Sequence, residues 1–163
     1  MESKAESKFC EENEVKFEAS ESKSNKSIIT AIPTFTLHTI DISPETGAIT
    51  DGIDLEMEFS LSCPVSDAFW EIKYVVDSMS RRQIIILGET DKTNYPQGES
   101  SMLFSVQQID VSNVKQGTLA NAGLLSATLI MASTQTEVIT INAVVQVTEE
   151  EGEFNRVIYN PLE

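Results

Sequence analysis

Between Leu55 and Cys63, apolar and polar residues alternate without a break. Leu55, Met57, Phe59 and Leu61 fall in one phase, and glutamates and serines fill the other. Side chains of a β-strand point alternately to opposite faces, so this segment predicts a strand with one face in a core and the other in water. A helix would instead repeat its apolar residues three and four positions apart. The chain therefore has to form a sheet that buries a single face.

The same alternation recurs in short segments separated by turn-forming residues. Trp70 to Val76 predicts a second strand with Trp70 in the core, and the segments 124–132 and 137–147 predict a closing hairpin. Phe35 and Leu37 are out of phase with the isoleucines at positions 40 and 42, which predicts a bulge near residues 38 and 39. The run from Gln83 to Leu87 is continuously apolar and predicts a strand that is covered on both faces.

About seven short strands, with no amphipathic helix of normal length, predict an all-β fold, an immunoglobulin-like antiparallel β-sandwich. We assign residues 29–148 to this sandwich, because 163 residues suit a single domain. Residues 1–28 consist almost entirely of Glu, Lys, Ser and Asn, a composition that predicts a disordered N-terminal leader. Residues 149–163 are expected to form an acidic C-terminal tail that has room for one short strand.

The chain carries 26 acidic and 11 basic side chains, a formal net charge of −15. This charge repels nucleic acid and favours a basic protein partner, with solubility alone as the alternative explanation. No apolar run is long enough for a membrane span, and the N-terminus is charged where a secretory signal would be apolar. We therefore expect an intracellular protein, nuclear or cytoplasmic and not secreted. Cys10 and Cys63 lack the spacing of a disulfide framework, so both are predicted to be free thiols.

Residues suited to catalysis are scarce. The single histidine, His38, has no evident acid or nucleophile beside it in the sequence and is interpreted as a strand residue near the bulge. Neither cysteine has the spacing of a zinc site, and no glycine-rich segment resembles a phosphate-binding loop. We therefore expect no enzyme activity, no metal and no cofactor.

Three groups of residues carry a family resemblance. They are Leu55-Glu-Met-Glu-Phe59; Ser66-Asp67 followed by Phe69-Trp70-Glu-Ile-Lys-Tyr-Val75; and Leu87-Gly88, Pro96-Gln97-Gly98 and Met102-Leu-Phe104. In the order of its predicted strands and in their pattern of apolar and polar residues, the segment from Leu55 to Val147 resembles the conserved core of the Asf1 family of histone H3–H4 chaperones. The resemblance covers a little over half of the chain. It implies an immunoglobulin-like sandwich that acts as a monomer, receives a histone H3 helix on the surface of its last long strands and binds a histone H4 tail by strand addition.

The resemblance also implies contact positions, and several differ from the family pattern. A bulky apolar contact falls on Ser126 or Ala127, depending on one gap, and a family arginine falls on Thr140. The acidic pair before the tryptophan keeps Asp67 but has Phe69 at its second position. The remaining expected contacts are Asn142 and Val144. These differences favour the alternative that the chain has lost histone binding and serves as an adaptor or subunit of another intracellular assembly, such as a cytoskeletal or ciliary one.

Overall fold

The structure is a computed structural model that describes residues 32–76 and 82–163. Strands dominate these residues, and a single four-residue helix interrupts them. The elements are β1 (Phe35–Ser43), β2 (Thr46–Ala48), β3 (Asp51–Leu61), β4 (Val65–Val76), β5 (Gln83–Glu89), β6 (Thr93–Tyr95), β7 (Gly98–Gln108), α1 (Gln116–Leu119), β8 (Gly123–Met131), β9 (Thr136–Glu150) and β10 (Glu153–Ile158).

The strands form two antiparallel sheets that pack face to face. The smaller sheet has the order β1-β3-β7, and the larger has the order β2-β10-β9-β8-β4-β5 with β6 paired to β4 beside β5. The antiparallel β-sandwich predicted from the sequence is therefore confirmed. It contains three more strands than expected, β2, β6 and β10. Strands β2 and β6 have three residues each and are too short to show an alternating pattern, and β10 lies in the segment expected to be a tail.

An aromatic cluster holds the two sheets together at one end. The ring of Trp70 lies 5.5 Å from the ring of Phe59, which stacks on Phe35 at 5.1 Å and meets Tyr95 at 5.5 Å. Edge-to-face and offset contacts of this kind add to the free energy gained by burying the rings. Trp70 and Phe59 are completely buried. The core position predicted for Trp70 and the inward phase predicted for β3 are both confirmed.

The pairing of the strands confirms two further predictions. The register between β1 and β3 shifts between Leu37 and Thr39, where the change of phase predicts a bulge. Strand β8 pairs along its whole length with residues 136–145 of β9 as the closing hairpin, with one register shift between Leu129 and Ile130. The next hairpin, from β9 to β10, turns at Glu151 and Gly152, which both have positive φ, as a two-residue turn of this type requires.

Two predictions from the sequence are wrong. The apolar run of β5 is not covered on both faces, since Ile84 is 56% and Ile86 is 63% exposed. Its sequence would suit a buried strand, but β5 lies at the margin of the larger sheet. Cys63 is not a free thiol, because it is disulfide-bonded. The other predicted thiol, Cys10, lies outside the described residues, as does the predicted leader 1–28.

The segment that was expected to be a tail takes part in the larger sheet. Strand β9 extends to Glu150, and β10 pairs with both β9 and β2. Arg156 of β10 points inward and is 2% exposed. Its guanidinium donates to the backbone carbonyls of Asp51 at 2.6 Å, Gly52 at 2.9 Å, and Ile49 and Pro44 at 3.3 Å each. One side chain thus fixes the chain between β1 and β3 against β10.

The described residues contain no helix with the length and apolar character needed to cross a lipid bilayer. Beyond β10, the chain returns to the smaller sheet, where the Asn160 amide donates to the carbonyl of Ile40 at 2.8 Å. The C-terminal segment therefore connects the two sheets at the side of β1.

Candidate protein-binding surface

The larger sheet presents a broad outer surface, which we call the wide face. It consists of the residues of β5, β4, β8 and β9 that alternate with the inward-facing core residues. The antiparallel register aligns these residues in rows that cross the strands. The wide face comprises Ile84, Ile86, Glu71, Lys73, Val75, Leu124, Ser126, Thr128, Thr140, Asn142 and Val144.

An apolar row crosses one end of the wide face. Ile84 pairs with Val75, Val75 with Leu124, and Leu124 with Val144. Val75 is buried and Leu124 is half-buried, whereas Ile84 and Val144 stay exposed at the two ends, Val144 to 48%. Tyr159 continues the row, because its backbone N–H donates to the carbonyl of Val144 at 2.8 Å. The row therefore crosses four adjacent strands and reaches the residue that follows β10.

Polar pairs occupy the middle of the wide face. The hydroxyl of Ser126 donates to the side-chain oxygen of Asn142 at 2.5 Å, and the hydroxyls of Thr128 and Thr140 lie 3.0 Å apart. Ser126 and Thr128 are buried, while Asn142 and Thr140 are exposed. The β9 partner of each pair is therefore the one that an approaching protein would contact. Such cross-strand pairs also fix the register of β8 and β9.

The wide face carries one lysine and one glutamate, and three further glutamates lie at its margins. Lys73 and Glu71 form an ion pair at 3.7 Å, and no other ion pair occurs in the described part of the chain. Glu89 lies opposite Glu71, Glu137 lies at the start of β9, and Glu150 lies at its end, all three exposed. The margins of the wide face therefore carry three carboxylates, and the exposed Arg82 lies two residues before Ile84 at the end of the apolar row.

The outer surface of the smaller sheet is a second distinct surface, which we call the acidic face. Strands β1, β3 and β7 contain no lysine or arginine. Their outward carboxylates include like charges directly opposite each other, since Asp41 pairs with Glu56, an arrangement that destabilises the pairing. The acidic face comprises Asp41, Asp54, Glu56, Glu58 and Glu99, together with Leu103, which is 69% exposed opposite Glu56.

The residues expected to bind a partner fall into two groups. Thr140, Asn142 and Val144 project together from β9 on the wide face. Asp67 lies at the start of β4, where its backbone N–H donates to the side chain of Asn94 at 2.8 Å. Eight residues along β4 separate Asp67 from the apolar row, which is about 25 Å at the usual rise per residue. A compact binding site around the apolar row would therefore contain Val144 and exclude Asp67.

Three of the expected residues are buried. Ser126 lies on the wide face beneath its bond to Asn142, whereas Ala127 points into the core. The structure therefore decides which of these two alternatives lies on the outer side of β8. Phe69 has the outward phase of β4 but is covered and pairs with Ile130. Its ring contributes to the sheet and offers a partner little surface.

The most exposed apolar residues of the wide face, Ile84 and Ile86, do not follow from the sequence. An uninterrupted apolar run has the same appearance whether a strand is central or marginal. The one available signal is its flanks, since the exposed residues Arg82 and Glu89 bracket the run. Charged residues at both ends are typical of an edge strand that must avoid unwanted pairing.

Groups able to hold a metal or perform acid–base chemistry are few in the residues described. No group of three histidine, cysteine, aspartate or glutamate side chains in 32–76 and 82–163 is placed to bind a metal ion. His38 is exposed, with its Nε2 2.9 Å from the Ser60 hydroxyl on the open surface of the smaller sheet. Burial raises the pKa of Tyr74 to about 12, an effect that nearby Arg156 opposes. Tyr74 therefore remains a neutral core residue at physiological pH.

Comparison with models of protein families finds no match for the chain, and comparison with curated proteins finds none either. The wide face and the acidic face are therefore interpreted from their own chemistry.

Proposed function

We propose that this chain is a non-catalytic protein-binding module that docks a basic partner protein on the wide face. The observation that carries the proposal is the apolar row from Ile84 to Val144, with polar residues beside it and carboxylates at the margins of the wide face. Protein interfaces usually combine an apolar patch with polar surroundings, and here the apolar patch lies at one end of the wide face beside the polar pairs. A bound partner would remove the exposed ends of the row, Ile84 and Val144, from water, and this burial would stabilise the complex.

The sign of the charge supports a basic partner. Glu89, Glu137 and Glu150 surround the wide face, and the chain as a whole has a net charge of −15. The acidic face adds to this field, although it points away from the proposed contact. Such a field accelerates encounters with positively charged proteins and disfavours acidic ones.

Histones H3–H4 are the specific candidate, on the strength of the resemblance to the Asf1 family. Three positions that the resemblance implies as contacts, Thr140, Asn142 and Val144, are exposed beside one another on β9. The proposed complex is a chaperone holding a basic histone pair against the wide face.

A second candidate is an adaptor or subunit of another intracellular assembly. It is favoured by the small size of Ser126, whose hydroxyl is already engaged by Asn142, and by a threonine at position 140 in place of the family arginine. Loss of an apolar anchor or a charged hot-spot residue can weaken the free energy of binding by about 2 kcal/mol or more. In this alternative, the wide face binds a different basic protein.

The test is a titration of the full chain with H3–H4 at about 0.15 M salt, where exposed charges beyond about 8 Å are screened. Val144→Lys removes an apolar contact and adds a positive charge, so the dissociation constant is expected to rise at least about tenfold. Leu162→Lys is the matched control, because Leu162 is 50% exposed and lies beyond β10. The dissociation constant of this control variant for H3–H4 is expected to change less than about twofold.

Equal effects of the two substitutions would exclude the wide face as the docking site. A complete absence of H3–H4 binding by the unmodified chain would reject the chaperone and leave the adaptor. In that event, the same pair of variants tests the wide face with whichever basic protein is identified as the partner.

A further inference from the structure

A cleft lies at the margin of the larger sheet opposite β5, well away from the apolar row. Its volume is about 400 Å³, and it opens between the turn that follows β2, the loop that leads into α1, and the start of β10. Val111, Leu119 and Phe154 supply its apolar lining, and Ser112, Gln116 and Asn155 supply polar groups. Pockets that bind ligands commonly have about 300–1,000 Å³ and a similar mixture of groups.

The fold holds the walls of this cleft in place. The N–H of Ile109 donates to the carbonyl of Thr50, which joins the loop to the turn after β2, and the N–H of Ile49 donates to Phe154. Strand β2 is the last strand of its sheet, but the N–H of Ala48 is already bound by the Asp51 carboxylate at 3.0 Å. This margin is therefore poorly suited to accept another strand and better suited to accept a side chain.

The charges around the cleft are almost all negative. Glu153 lines it, and Glu149 lies opposite Phe154 in the β9–β10 register. Asp110 accepts the N–H of Ser112 at 2.9 Å, and the hydrogen bonds from the Ser112 side chain and backbone hold the pKa of this carboxyl below its usual value. Lys115 is the nearest cation in sequence, next to Gln116. None of these carboxylates takes part in an ion pair within the described residues.

We propose that this cleft binds a short basic peptide segment of a partner protein, with one leucine-sized side chain inserted between Val111, Leu119 and Phe154. Lysine or arginine residues on both sides of that anchor would lie over Glu149, Glu153 and Asp110. An anionic ligand would be repelled by the same carboxylates, and the apolar lining would leave a simple cation without ligands on that side. This second site does not depend on the wide face or on histones as the partner.

The test uses fluorescence anisotropy with the full chain and a fluorescein-labelled probe peptide of sequence lysine-arginine-leucine-lysine-arginine. A second probe replaces leucine by glycine and keeps the charge. The leucine probe is expected to bind at least about fivefold more tightly, since only its leucine side chain can be buried between the apolar residues of the cleft. Equal binding of the two probes would overturn the proposal, because it would show electrostatic attraction without a side-chain pocket.

Variants then locate the binding site of the leucine probe. Ser112→Trp projects an indole into the cleft from an exposed position and is expected to weaken binding at least about tenfold. Glu153→Lys is expected to weaken binding of the leucine probe about three- to tenfold. Glu99→Lys makes the same charge change on the acidic face and should alter binding less than about twofold. Val144→Lys on the wide face should likewise have little effect.

Equal weakening by Glu153→Lys and Glu99→Lys would overturn the proposal, as would the absence of any binding by the leucine probe. If Ser112→Trp disturbs the fold, the comparison of Glu153→Lys with Glu99→Lys and the comparison of the two probes still decide the outcome. Failure of H3–H4 binding together with normal binding of the leucine probe would reject the proposed chaperone and retain the cleft.

Discussion

Arg156→Met is expected to lower the free energy of unfolding by about 3–5 kcal/mol. The guanidinium of Arg156 is almost fully buried and donates to four backbone carbonyls in residues 44–52, from the end of β1 to the start of β3. Methionine fills a similar volume but donates no hydrogen bond, so these acceptors would lose their partner in the protein interior. Each buried acceptor left unsatisfied costs about 1–3 kcal/mol, reduced where water can enter.

The measurement is urea unfolding followed by the fluorescence of Trp70, the only tryptophan and a fully buried one. Arg82→Met is the matched control, because Arg82 is exposed directly before β5; its effect should stay within about 0.5 kcal/mol. Arg156→Lys should recover only part of the loss, since an ammonium lacks the planar fork that reaches several carbonyls. Equal stability of the two methionine variants would contradict the role assigned to Arg156.

Gly52→Ala is expected to destabilise the fold by about 3 kcal/mol or more. A Cβ atom at position 52 would lie 2.2 Å from the carbonyl oxygen of Val106 and 2.5 Å from that of Gln107. Both obstacles are backbone atoms of β7, so no side-chain rotation can relieve the overlap. The start of β3 would have to separate from β7, and the carbonyl of Gly52 would shift away from Arg156.

Gly117→Ala provides the comparison, because a Cβ atom there meets nothing within 4 Å and the residue belongs to α1. Alanine favours helix by about 1 kcal/mol relative to glycine, so this variant should be neutral or slightly more stable. Thermal unfolding of both variants under the same conditions tests the prediction. An unchanged midpoint for Gly52→Ala would show that β3 and β7 do not approach each other as closely as described.

The sandwich could be predicted because burial on one side leaves a period-two pattern in the sequence. Strands β3 and β4 and the β8–β9 hairpin all show that pattern, and the phase change in β1 locates its bulge. Strand β10 is harder to recognise, since its central inward position holds Arg156 where an apolar residue would be expected. The carbonyls that satisfy this charge lie 104 to 112 residues away in the sequence, which local patterns do not reveal.

The candidate site was predictable only in part, for a related reason. Alternation along β9 places Thr140, Asn142 and Val144 on one side of a strand, and the structure shows that this side is exposed. A shift of one residue moves a side chain to the other face, so the sequence leaves Ser126 and Ala127 as alternatives. The exposure of Ile84 depends on the order of strands in the sheet, and the disulfide of Cys63 depends on a spatial proximity that cysteine spacing does not encode.

Hydroxyl-radical footprinting of the full chain with and without H3–H4 is the most direct test of the wide face as the docking site. Because the radicals oxidise exposed side chains, the complex is expected to show reduced labelling of Ile84, Ile86 and Val144. Labelling of Leu103 on the acidic face should be unchanged. Protection of Leu103 without protection of the isoleucines, or no protection because no complex forms, would contradict the proposed docking of a basic histone pair on the wide face.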